Sequence, residues 1–119
     1  MRLVWSASIV IVIVAILVAL QNRVIVQNES RKAIDDLSFD VVVEGTDILC
    51  HRESFRRIST GNSGKGTFAF DRDCTCRVTG HFEDGSEIRG GGGYLTNGMV
   101  AVRVIVTVLK DGDVEIRTQ

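Results

Sequence analysis

Three cysteines are the side chains of this sequence best suited to covalent chemistry. Cys74 and Cys76 are separated by one residue, so on a β-strand both would project from the same face. A disulfide from Cys50 to either of them would close a loop of about 25 residues and contribute roughly 3 kcal/mol in the chain-entropy account. We therefore expect Cys50 to pair with Cys74 or with Cys76. Three buried free thiols are the alternative.

The same cysteines could, with a histidine, supply ligands to a metal ion. Structural zinc usually takes four ligands in two paired spacings, and only one such pair is present here. His81 lies an odd number of residues after Cys76, which places it on the opposite face of a strand. The pattern therefore favours no metal and no other cofactor.

No other group of reactive side chains has the spacing of a catalytic motif. The run from Gly61 to Thr67 resembles a phosphate-binding loop, but a glycine follows Lys65 and the next residues predict a strand instead of a helix. A nucleophilic set could be drawn from Ser54, His51 and Asp47, yet nothing in their spacing orders it. We therefore expect a protein that is not an enzyme.

Two features suggest contact with a partner protein. Arg52, Arg56 and Arg57 form a local group of cations, although charged loop residues are commonly just solvated. Four successive glycines, residues 90–93, precede Tyr94 and would let another chain approach closely, with the aromatic ring as an anchor. A mobile connection is the alternative for the glycine run. Arg52, Arg56, Arg57 and Tyr94 are the predicted contact residues.

Charge and composition exclude some classes of function. The formal net charge is −1 and the isoelectric point is near 6.1, so there is no overall attraction to nucleic acid. Proline is absent and glycine occurs 12 times, so the turns must depend on glycine, asparagine and aspartate. β-branched residues are abundant after residue 23, which favours strands.

The N-terminus has the character of a membrane anchor. The 18 residues from Leu3 to Leu20 carry no charge and would form a helix of about 27 Å, close to the thickness of a bilayer core. Trp5 is placed as an interfacial anchor would be. A cleaved signal peptide is the alternative, but the basic region is one residue long and no clear cleavage site follows. The sequence therefore predicts a retained transmembrane helix in residues 1–23.

Small residues recur along one side of this predicted helix. Ser8, Ala15 and Ala19 would line up and let a neighbouring helix approach, because close packing drives helix association in lipid. Ordinary lipid-facing positions are the alternative. The expected partners are thus the lipid bilayer and other integral membrane subunits.

The side of the membrane on which the domain lies is less clearly encoded. Lys and Arg counts lean weakly toward the cytoplasm, whereas cysteines able to pair favour an oxidising compartment. We expect a single-pass protein of the bacterial inner membrane with its C-terminal domain in the periplasm.

Residues 24–119 read as short strands separated by turn signals, among them the Asp84-Gly85 and Asp111-Gly112 turns. This spacing, without helical periodicity, predicts a mainly β domain, an antiparallel β-sandwich or a small barrel-like fold. The expected strands are 24–26, 37–43, 48–50, 67–70, 74–83, 87–89, 99–109 and 114–116.

Several short motifs support this fold. The sequence contains Asn28-Glu29-Ser30 after the first strand, a Phe82-Glu83-Asp84-Gly85 turn, and Gly92-Gly93-Tyr94 before a last Val-rich hairpin. In these the chain resembles short bacterial proteins with one N-terminal transmembrane helix and a small extracytoplasmic β-domain. The resemblance covers the part after the helix, and it implies a fold without adding site residues.

The functional expectation follows from architecture. We expect a non-catalytic accessory or structural subunit of a larger bacterial membrane protein complex, with a respiratory or photosynthetic complex as a plausible host. Its helix would pack in the membrane and its β-domain would brace the periplasmic face. The alternative is a free-standing, membrane-anchored periplasmic binding module for envelope ligands or assembly factors.

Overall fold

The computed structural model describes the backbone of residues 7–119, and the side chains of these residues except 7, 8 and 17–19. Within this range one helix precedes eight strands. They are α1 (Ala7–Leu20), β1 (Asn22–Asn28), β2 (Ile34–Val43), β3 (Leu49–Ile58), β4 (Ser63–Phe68), β5 (Cys74–Phe82), β6 (Glu87–Leu95), β7 (Arg103–Val108) and β8 (Val114–Thr118).

The strands form two four-stranded sheets. The first sheet has the order β4-β1-β7-β8 and the second has the order β3-β2-β5-β6. Every neighbouring pair is antiparallel except β1 and β7, which run parallel with Arg23 in register with Arg103. The prediction of a mainly β sandwich is confirmed, with one parallel pair added.

The core lies between the two sheets. Along β5 the buried and more exposed positions alternate strictly, because every second side chain points toward the other sheet. Phe39 of the second sheet meets Phe68 of the first in an edge-to-face contact, with ring centroids 5.5 Å apart. Val24, Val26 and Phe39 are fully buried.

The sheets approach each other at both edges, which makes the sandwich partly barrel-like. At one edge the backbone N–H of Arg89 donates to the carbonyl of Gly112 at 3.3 Å, and Gly90 lies against Val114. At the other edge β4 lies so close to β3 that a Cβ on Gly64 would come within 2.8 Å of the Phe55 ring. Glycines are thus required where strands of different sheets nearly touch.

Helix α1 corrects the prediction of a membrane anchor. It has 14 residues, so at 1.5 Å per residue it is about 21 Å long, short of the roughly 30 Å of a bilayer core. Among the described residues, no helix is both long enough and apolar enough for a membrane span. The prediction of a single-pass inner-membrane protein with a periplasmic domain is therefore wrong. Residues 3–6 of the expected span lie outside the described part.

Of the three small residues predicted to form a packing stripe on the helix, one has a described side chain. Ala15 is exposed on α1, whereas the side chains of Ser8 and Ala19 lie outside the described set. The stripe stays a prediction.

A buried asparagine fixes the end of β1. The side-chain amide of Asn28 donates to the carbonyls of Lys32 and Ile58 at 2.8 and 2.9 Å, and its Oδ1 accepts from the backbone N–H and the hydroxyl of Ser30. Asn28 and Ser30 are each 1% exposed. The Asn-x-Ser pattern thus ties β1 to the following loop and to the end of β3.

We expect Asn28→Ala to lower the free energy of unfolding by roughly 2 kcal/mol, because it leaves the buried Ile58 carbonyl without its partner. Urea denaturation followed by circular dichroism measures the change. Asn97→Ala, at an exposed turn position, is the matched control and should differ from wild type by less than about 0.5 kcal/mol. Equal stabilities of the two variants would contradict this account.

Candidate functional site

The three cysteines come together at one end of the sandwich. Cys74 and Cys76 lie on the same face of β5, as their spacing predicted, and this face is buried; Cys50 lies half-buried on β3. The Sγ atoms of Cys50 and Cys74 are 3.4 Å apart, although β2 separates their strands. They can meet because β2 has an irregularity after Val41 and ends at Val43. All three cysteines are free thiols in this structure.

Burial controls the chemistry of this cluster. It raises the pKa of the Cys74 thiol to about 12, with a further contribution from the hydrogen bond to Cys50, and it raises the pKa of Cys76 to about 12 as well. Both groups are therefore almost entirely protonated at neutral pH, and the thiolate is the form that attacks electrophiles or binds metal. In the described part of the chain, no group of three or more His, Cys, Asp and Glu side chains could hold a metal ion.

The side chains considered for nucleophilic catalysis do not meet. Ser54 is in register with Ser38 on the outer face of the second sheet, whereas His51 is in register with the buried Val41 on the other face. The Nε2 atom of His51 is 3.6 Å from a carboxylate oxygen of Glu53. Asp47 accepts a hydrogen bond from Arg77 instead, at 2.6 Å.

The three predicted contact arginines differ in their surroundings. The guanidinium of Arg52 donates two hydrogen bonds to Asp40, at 2.8 and 3.0 Å, and this lowers the pKa of the Asp40 carboxyl. Arg56 and Arg57 are exposed on the same strand. Arg57 has a φ of 55°, a left-handed conformation at the end of β3. Arg52 is therefore engaged within the fold, and partner contact by the other two stays a prediction.

Tyr94 joins three segments of the surface. Its hydroxyl donates to Glu44 at 2.8 Å and lies 3.4 Å from Asp73, and these acidic neighbours raise the pKa of the phenol to about 12. The glycine run before it is part of β6 and not a loose connection. Tyr94 is 46% exposed, and partner contact by this residue also stays a prediction.

An open cavity of 440 Å³ lies beside the cysteines. Its walls include Leu49, Cys50, Phe70 and Arg72. Ile48, at the rim, is 61% exposed. Sequence reasoning did not predict this cavity. It arises where the β2–β3 turn and the β4–β5 connection face each other, and no local pattern encodes that approach.

The most unusual surface belongs to α1. Eight large aliphatic side chains on its described positions are between 47% and 67% exposed: Ile9, Val10, Ile11, Val12, Ile13, Val14, Ile16 and Leu20. The backbone N–H of Ala101 donates to the Leu20 carbonyl at 3.3 Å, and the preceding Val100 is 66% exposed. The apolar surface of the helix therefore ends beside an exposed apolar residue of the sandwich.

Comparison with known proteins supports the architecture alone. The chain matches no protein-family model and no curated protein. A solved structure with a similar fold is described as the NMR structure of the protein from Eubacterium rectale. It shares 13% sequence identity with a TM-score of 0.54, over 82% of this chain and 86% of that one. At this identity the similarity concerns the fold and transfers no site residues.

Proposed function

We propose that this protein is a non-catalytic accessory subunit of a larger protein assembly, and that α1 is the segment by which it binds a partner. The observation that carries this proposal is the exposure of α1 on all sides. A helix that is apolar all round is ordinarily buried in a larger structure.

The amount of exposed apolar surface makes an uncovered helix unfavourable in water. Isolated aliphatic side chains are common at protein surfaces, but a contiguous apolar surface marks an interaction site. Within the described part of the chain, α1 has no extensive contact with any of the eight strands. The sandwich therefore does not cover it, and we infer that a partner chain does.

A free-standing binding module is the second candidate, and the 440 Å³ cavity beside Cys50 favours it. Cavities of a few hundred Å³ are within the range of small-molecule sites. This function would need no stable partner and would leave the exposure of α1 unexplained.

The test is the size of the assembly formed by the full chain in extracts of its own cells. We expect the tagged chain to elute with partner chains at a fixed ratio, well above its own 13.0 kDa. Ile11→Lys should reduce the recovered complex at least tenfold, because burying an unpaired charge costs several kcal/mol. Ile11→Leu, which keeps the apolar character, should retain it.

The same variants show what would contradict the proposal. A monomer, or an assembly containing only this chain, argues against an accessory subunit. Equal recovery of Ile11→Lys and wild type argues against docking through α1. Circular dichroism should show an unchanged β-sandwich in both variants, since α1 lies apart from the strands.

A further inference from the structure

A group of cations covers the outer face of the first sheet. Arg23 of β1 and Arg103 of β7 are in register, and Lys65 of β4 and Arg117 of β8 flank the next outward-facing row. All four are exposed. Between the two flanking cations lie Ile25 and Ile105, which form an apolar centre.

Three cations of this face, Lys65, Arg103 and Arg117, lack an acidic partner among the described residues. The acidic side chain on the face is Glu115, one row further along, opposite Thr107. Arg23 and Arg103 are adjacent like charges, an arrangement that destabilises a sheet.

The second sheet shows that the fold does neutralise its cations elsewhere. On its outer surface Arg52 pairs with Asp40 at 2.8 Å and Arg77 pairs with Asp47 at 2.6 Å. His81 similarly lies 3.2 Å from Asp36. Lys65, Arg103 and Arg117 therefore lack the acidic neighbours that Arg52, Arg77 and His81 have on the second sheet.

We propose that the outer face of the first sheet, formed by Arg23, Lys65, Arg103 and Arg117 around Ile25 and Ile105, binds an extended acidic segment of a partner protein. This inference rests on the proposed function. It adds that the partner protein carries an acidic segment. Two observations identify an acidic segment as the ligand: the positive charge of the face and the spacing of its cations.

The spacing of the cations suits an extended peptide. The two rows are two residues apart along the strands, or roughly 7 Å, which is also the distance between alternate side chains of a β-strand. Carboxylates at alternate positions of an acidic segment can thus reach both rows. An open cavity of 490 Å³, lined by Arg23, Lys65 and Arg103 with Thr67, gives the segment a place to lie.

A single-stranded nucleic acid fits this face less well. Proteins that bind single strands combine cations with aromatic side chains on which the bases stack. Phe68 of β4 points into the core, and Tyr94 belongs to the other sheet. The described part of the first sheet therefore offers no stacking platform on its outer face.

The experiment titrates the full chain with a polyglutamate peptide and follows backbone amide shifts by NMR. We expect shifts on β1 and β7, and weaker binding when the ionic strength rises from about 0.01 to about 0.15 M. The triple variant Lys65→Gln/Arg103→Gln/Arg117→Gln should bind roughly 30-fold more weakly, because each of the three exposed ion pairs is expected to contribute about threefold. The control Arg56→Gln/Arg57→Gln/Lys110→Gln loses the same charge elsewhere and should bind like wild type apart from a small long-range effect.

Three outcomes would overturn the proposal: no shift on the first sheet, equal weakening by both triple variants, or equally tight binding of an oligothymidylate of the same charge. Ile11→Lys distinguishes this inference from the proposed function. That variant should keep polyglutamate binding while losing the assembly. Polyglutamate binding without any assembly would refute the accessory role alone.

Discussion

Oxidation of the folded protein is expected to join Cys50 to Cys74 and to leave Cys76 as a thiol. The two Sγ atoms are already 3.4 Å apart, and a disulfide requires them to approach to about 2.05 Å. Sequence spacing left Cys76 open as the partner, but its sulfur lies elsewhere in the core, 3.7 Å from a Cβ built on Gly93. The bridge should raise the free energy of unfolding by roughly 3 kcal/mol.

The pH dependence of this oxidation follows from burial. With oxidised glutathione as the oxidant, the thiolate of half-buried Cys50 displaces one glutathione thiol and forms a mixed disulfide. Cys74 then attacks that sulfur and releases the second glutathione thiol. Because the pKa of Cys74 is raised to about 12, its thiolate is scarce at neutral pH. The second step should therefore accelerate about tenfold per pH unit between roughly pH 7 and 9.

Non-reducing mass spectrometry after denaturation and alkylation measures the bridge. We expect one alkylated thiol, at Cys76, and a melting temperature raised by roughly 12 to 24 °C. Cys50→Ser should abolish the bridge and leave two alkylated thiols. Cys76→Ala should keep the bridge and the raised melting temperature, with no alkylated thiol. Three alkylated thiols after full treatment, or a bridge that includes Cys76, would contradict the assignment.

Where side chains alternate cleanly, the sequence was sufficient to locate a strand. β5 was expected over 74–83 and is found at Cys74–Phe82, because one face enters the core and the other faces water. β2 and β8 were also found in place, each longer than expected. A strand with one buried face therefore shows an alternation of apolar and polar residues that the sequence alone reveals.

Three of the four edge strands, β3, β4 and β6, were predicted poorly for the converse reason. β3 continues through the polar residues that the sequence assigned to a loop, because a strand at a sheet edge needs few buried side chains. The glycines of β6 and β4 were likewise left out of the expected strands. They are strand residues because the two sheets approach closely there, a tertiary constraint that local patterns do not carry.

The candidate functional surfaces also depend on tertiary contacts that local sequence patterns do not encode. The cysteine cluster was predicted in part, because residue spacing fixes that Cys74 and Cys76 share one face but not which of their sulfurs reaches Cys50. The cationic face was not predicted, because its four residues come from four strands spread over most of the chain. The parallel pairing of β1 with β7 brings Arg23 beside Arg103, and such a long-range pairing leaves no local signal.

Gly80→Ala is expected to be among the most damaging single substitutions in the chain. Gly80 is buried on β5, in register with Leu37 of β2. An added Cβ would collide with the backbone carbonyl of Asp36 and lie 2.9 Å from the Leu37 Cα. Because these are backbone atoms of a central strand pair, a rotamer change cannot relieve the clash. β2 would have to move away from β5, which disrupts the hydrogen bonds of the second sheet.

We expect this overpacking to lower the free energy of unfolding by roughly 3 kcal/mol, or about 12 to 24 °C in melting temperature for a domain of this size. Gly91→Ala is the matched control on the neighbouring strand β6. Its Cβ would lie 3.4 Å from the Cys76 carbonyl oxygen at an exposed position, so the loss should stay below about 1 kcal/mol. Urea denaturation of both variants decides the matter. An equal loss of stability in the two variants would contradict the claim that the close approach of β2 and β5 requires a glycine at position 80. The register assigned to the second sheet would then be wrong.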